Sequence, residues 1–80
     1  MNQTITNFLM NNNQYSGYYF KPYIFDEFKD IPNNNINWEL VLLHADNNIG
    51  AKFLLVNDKG NTYFCTSYNK NYEVSIIKLF

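Results

Sequence analysis

The chain has 80 residues, a formal net charge of −1, six lysines, no arginine and only 16 % charged side chains. That excludes the basic footprint of a typical nucleic-acid binder, the dense negative charge of a nucleic-acid mimic, and the guanidinium forks that grip phosphates and guanine edges. A hydrophobic share of 46 % with 19 % aromatics argues against disorder and supplies one core for a single domain, residues 1–80.

Residues 1–20 carry no charged side chain. Thr4 is placed to cap a short helix whose apolar positions Ile5, Phe8 and Leu9 fall at i, i+3, i+4, with Asn11–Asn13 ending it. A second helix is predicted between Lys21 and Pro32. Pro22 suits a first turn, Asp26 and Glu27 follow, Ile24, Phe25, Phe28 and Ile31 share a face, and Pro32 stops it. The competing reading makes Tyr18–Phe25 an extended strand. Residues 1–32 thus form a helical and aromatic segment.

From Asn37 the pattern changes. Four β-branched and aromatic runs, 38–45, 51–57, 62–68 and 72–80, are separated by short polar connections and predict an antiparallel meander over residues 37–80. Asn57-Asp58-Lys59-Gly60 reads as a type I turn closed by a left-handed glycine, the signature of a bulged hairpin. That turn sets Val56 against Thr62, Leu55 against Tyr63, Leu54 against Phe64 and Phe53 against Cys65. One face then carries Ala51, Phe53, Leu55, Tyr63 and Cys65; the other carries Lys52, Leu54, Val56, Thr62, Phe64 and Thr66. The polar members mark the second as the outer face, yet it keeps Leu, Val and Phe. The expected fold is α+β, with one or two short N-terminal helices packed on a four-strand antiparallel meander. A small β-barrel with a helical preface is the alternative. Two short helices cover one face of such a sheet and leave the other for a barrel-like curl, a dimer mate or a partner protein.

Fifteen asparagines, seven isoleucines, seven tyrosines and seven phenylalanines stand against two alanines, three glycines and two prolines. The favoured residues use A- and T-rich codons, so the asparagine excess reads as the signature of an AT-rich genome, drifting onto tolerant surface positions. One cysteine forms no internal disulfide, the N-terminus lacks the pattern of a signal peptide, and no run approaches the ~20 apolar residues of a membrane span. A cytoplasmic protein is expected, in the host cytoplasm if phage-encoded. Charge is uneven: two lysines against five acids give −3 over residues 1–46, and four lysines against two acids give +2 over residues 47–80. The difference is too small to name a partner.

Chemistry-bearing residues are sparse. His44, the single histidine, sits two residues from Asp46 and resembles a base with its orienting acid, but no nucleophile is placed beside it. Cys65 falls mid-strand on the core face, where a thiol behaves as a small hydrophobe. Asp26, Glu27 and Asp30 are ordinary acids of a short exposed helix. The loop from Asp46 begins like a calcium loop, but its glycine comes one place early and Asn57 stands at its closing acid position. Gly17, Gly50 and Gly60 are isolated, so no phosphate cradle forms. No enzyme, metal or cofactor is expected.

The segment Asn11–Tyr23 packs tyrosines among Asn, Ser and Gly, a mixture that protein-binding loops use because tyrosine offers a stiff amphipathic contact. Candidate partner contacts are Tyr15, Tyr18, Tyr19, Phe20 and Tyr23, together with the outer-face Leu54, Val56 and Phe64. The functional expectation is a non-catalytic protein-interaction module. By size and composition it fits a small phage or mobile-element accessory protein that inhibits a host protein, such as a defence nuclease, by occlusion in the manner of anti-CRISPR proteins. A single-stranded nucleic-acid-binding accessory protein and a self-associating structural subunit, a homodimer included, are the alternatives.

Overall fold

The computed structural model describes residues 4–5, 8–9, 16–46, 50–68 and 73–80. Five strands form one antiparallel sheet: β1 (Tyr18–Phe20), β2 (Trp38–Asp46), β3 (Gly50–Asn57), β4 (Thr62–Tyr68) and β5 (Glu73–Lys78). They lie side by side in chain order, with β1 and β5 at opposite edges. The expected α+β arrangement of helices on a four-strand meander is therefore wrong. The sheet has a fifth strand, and among the described residues the only complete helical elements are two 3₁₀ turns, Pro22–Ile24 and Asp26–Phe28. The barrel alternative fails as well, because the linear order leaves the sheet open among the described residues.

Strands β2 to β5 fall on the four predicted runs, and β3 pairs β4 in the register that the turn dictates, Val56 with Thr62 through Phe53 with Cys65. The turn closes as its residues require. Gly60 takes φ +85°, its N–H donates to the Asn57 carbonyl at 3.1 Å, and the Asn57 side-chain oxygen accepts the N–H groups of Lys59 and Asn61, each at 3.0 Å.

The second helix was expected on a 3.6-residue period, but the buried residues are Pro22, Phe25, Phe28 and Ile31, which recur every third position while Ile24 is exposed. A three-residue repeat belongs to the 3₁₀ geometry, in which side chains three apart eclipse. The backbone follows it: Phe25 N–H donates to Pro22, Phe28 to Phe25 and Ile31 to Phe28, at 3.0–3.2 Å. Phe25 itself is extended at φ −105°, ψ 137°, separating the two turns. Strand β1 is the part of the competing extended reading that holds. Its three residues pair with Trp38–Leu40 and carry the aromatic segment into the sheet.

Among the described residues the buried cluster lies against one face of the sheet. Ile5, Leu9, Phe25, Phe28 and Ile31 cover a floor of Phe20, Trp38, Leu40, Ala51, Phe53, Leu55 and Cys65, all at most 5 % exposed. Rings run from Tyr18 through Phe20, Phe25 and Phe28 to Phe53 with centroids 5.2–6.4 Å apart, a span over which edge and offset contacts add to simple burial. Ile5, Phe8 and Leu9 have helical backbone, as their spacing predicts, and the Phe8 N–H reaches the Thr4 carbonyl at 3.1 Å. The Glu27 carboxylate accepts the Ile5 N–H at 3.0 and 3.1 Å, tying that turn to the second 3₁₀ turn. The expected stop at Asn11–Asn13 lies outside the described residues.

Two asparagines of the 33–35 run close the lid. Asn33 adopts φ 59°, a left-handed conformation that asparagine tolerates, and its carbonyl accepts the buried Trp38 indole N–H at 3.0 Å. Asn34 donates its side-chain amide to the Lys29 carbonyl at 2.8 Å and the Phe28 carbonyl at 3.3 Å. These positions are structural rather than drifting. No described helix is long and apolar enough to cross a membrane.

Candidate functional site

Pairing across the sheet aligns the residues of its outer face into rows. The central row is Val41 on β2, Leu54 on β3, Phe64 on β4 and Ile77 on β5, each directly opposite the next. One side is bordered by Tyr19, Glu39, Val56 and Thr62, and the other by His44, Lys52, Thr66 and Ser75. An apolar row thus crosses four strands between two rows of mixed polarity.

The row does not belong to the buried cluster. Val41, Leu54 and Phe64 are half-buried by their neighbours, and Ile77 is 52 % exposed. Alternation requires this: in a strand successive side chains point to opposite faces, so Phe53 and Leu55 reach the core while Leu54 cannot.

A bulge between Leu42 and His44 finishes the face. Leu42 opposes Phe53 and Ala45 opposes Ala51, so the extra residue, Leu43, changes the phase of β2. Unbroken alternation from Trp38 through Leu40 and Leu42 would carry His44 onto the core side. With the bulge it stands opposite Lys52 in the bordering row, exposed, and Leu43 is 53 % exposed.

The aromatic segment is divided by the same alternation. Tyr18 is half-buried on the core side, stacked at 5.2 Å on both Phe8 and Phe20, and Phe20 is buried. Tyr19 points outward at 58 % exposure, and its hydroxyl donates to the Glu39 carboxylate at 3.2 Å. The negative charge of Glu39, then that hydrogen bond, raises the phenol pKa above its ordinary value. Tyr23 is exposed on the first 3₁₀ turn, away from the rows. Tyr15 lies outside the described residues. Leu54, Val56 and Phe64 share the outer face, so among the expected contacts the structure groups these three with Tyr19. It separates them from Tyr18, Phe20 and Tyr23. Sequence reasoning left out Val41 and Ile77, which extending the hairpin register one strand to either side would have found.

Groups weighed for chemistry have ordinary surroundings. Cys65 is fully buried opposite Phe53 and Ile76, and burial pushes its thiol up to about 12, which disfavours the thiolate that nucleophilic attack needs. Asp26 pairs with Lys29 at 3.1 Å on the surface, and Glu27 holds the Ile5 amide. Among the described residues no three metal-ligating side chains converge. Comparison with known protein families, curated proteins and solved structures finds no match.

Proposed function

We propose that this chain is a non-catalytic protein-interaction module that docks through the outer face of its sheet and acts by occluding its target. The observation behind this reading is the row Val41, Leu54, Phe64 and Ile77. It is apolar across four strands, outside the core cluster, and bordered by polar residues in the way that a binding patch is rimmed. Tyr19 and Leu43 extend it with large exposed side chains. The AT-rich residue usage and the absence of arginine suit an accessory protein of a phage or mobile element, with a host protein such as a defence nuclease as the target.

The reading is tested by capture from host extract with the intact chain, its Leu54→Lys variant and its Tyr23→Ser variant. Leu54→Lys sets a charge in the middle of the row and abolishes capture of the target. Tyr23→Ser lies off the face and retains it. Identical capture by all three removes the outer face as the docking surface.

A further inference from the structure

The backbone of β5 is bonded along one side only. The Leu79 N–H donates to the Thr62 carbonyl at 2.8 Å, so Thr62 turns its backbone groups toward β5. These groups alternate along an antiparallel strand, so Phe64 and Thr66 do the same, opposite Ile77 and Ser75. Val74, Ile76 and Lys78 therefore turn their N–H and C=O groups away from β4, along the edge of the sheet. Among the described residues no hydrogen-bond partner meets them there. The usual protections of an edge are missing as well: Val74–Ile77 contains no charge, no proline and no bulge. The opposite edge has them, because β1 is three residues long and runs directly into Lys21 and Pro22, whose ring carries no N–H.

We infer that a second copy of the chain supplies the missing strand, its β5 running antiparallel to the first about a two-fold axis normal to the sheet. Whatever pairs at this edge must be extended, because it has to present N–H and C=O groups at alternate residues. β5 itself qualifies, and its outward residues fix the register. Val74, Ile76 and Lys78 map onto themselves in one antiparallel register, with Ile76 opposite Ile76 and Val74 opposite Lys78. Every outward backbone group of both strands is then paired. A slip of two residues leaves groups of both copies unpaired, and a slip of one sets each outward residue against one that points the other way. The side chains agree with that register. Val74 and Ile76 already pack against the buried cluster, and Ile76 meeting its counterpart carries that cluster across the axis. Lys78 lays its methylenes over Val74 of the second copy and keeps its ammonium in water. On the outer side Ile77 stands opposite Ser75. No opposed pair brings like charges together, and a net charge of −1 leaves little repulsion between copies. The pairing runs edge to edge, so the outer face stays open for the target proposed above.

Sedimentation velocity and residue-resolved amide hydrogen exchange of the full chain, at about 50 μM and about 1 mM, test this. The dimer fraction should rise between the two. The amides of Val74, Ile76 and Lys78 should exchange about ten-fold more slowly at the higher concentration, and those of Ser75 and Ile77, already bonded to β4, should change less. Lys78→Pro removes an outward donor at an exposed position and keeps the bonds to β4, so it should move the dimer midpoint about ten-fold higher. Lys78→Ala keeps that N–H, and Leu54→Lys lies on the outer face; each should stay within about three-fold of the original. Circular dichroism establishes that Lys78→Pro is folded, and if it is not, the exchange pattern of the unaltered chain decides. A monomer at about 1 mM, or a dimer whose Val74, Ile76 and Lys78 amides exchange as in the monomer, overturns the pairing. Protection of those amides only after host extract is added would give the edge to a foreign strand and overturn the second copy as occupant. A dimer lost in Leu54→Lys and kept in Lys78→Pro would place self-association on the outer face instead.

Discussion

Asn57 shows how much a single polar side chain holds. It is 5 % exposed, its oxygen accepts two backbone N–H groups at 3.0 Å, and its amide donates to the Asn61 side chain at 3.0 Å. Asn57→Ala removes the shared acceptor of the turn and should cost about 1–2 kcal/mol in urea unfolding; Asn57→Asp keeps the acceptor and should recover most of it. Cys65 makes a different prediction. Its folded pKa of about 12 lies above the ordinary 9.0, so the folded state holds the proton more tightly than the unfolded chain. The associated stability is complete below the ordinary thiol pKa and drains away as pH rises through that interval, by at most about 1.4 kcal/mol per pH unit. Urea midpoints for wild type should therefore fall relative to Cys65→Ala above the ordinary thiol pKa and run parallel to it below. Parallel curves throughout would mean that the thiol ionises freely in the fold.

Among the elements, the β3–β4 hairpin and the four long strands were legible in the residues because side-chain period, turn chemistry and length agreed there. Strand β1 was legible only as the weaker of two readings. Three residues are too few to show alternation, and its pairing depends on Trp38–Leu40, distant in the chain. The 3₁₀ segment was misread for a narrower reason: Phe25, Phe28 and Ile31 fit both a three-residue and a 3.6-residue repeat, and only Pro22 and Ile24 distinguish them. Pro22 is buried and Ile24 is 41 % exposed, the opposite of the helical expectation. Phe28→Ala should accordingly cost about 3–5 kcal/mol, and Ile24→Ala less than about 1 kcal/mol. Comparable losses at both positions would restore the helical face. The outer face was half legible. Register from one turn located Leu54, Val56 and Phe64, whereas the bulge that turns His44 outward has no marker in sequence.

For the whole molecule, Ile5, Leu9, Phe25, Phe28 and Ile31 cover one side of a five-strand sheet, and among the described residues the other side is apolar along one row. The claim that this row serves docking rather than folding separates two neighbouring leucines, Leu54 on the outer face and Leu55 fully buried on the inner. Urea unfolding of Leu54→Lys and Leu55→Ala beside wild type tests it directly. A docking row predicts that Leu54→Lys unfolds within about 1 kcal/mol of wild type, while Leu55→Ala loses about 2–5 kcal/mol. A loss at Leu54 as large as that at Leu55 would contradict it and make the row part of the folding core.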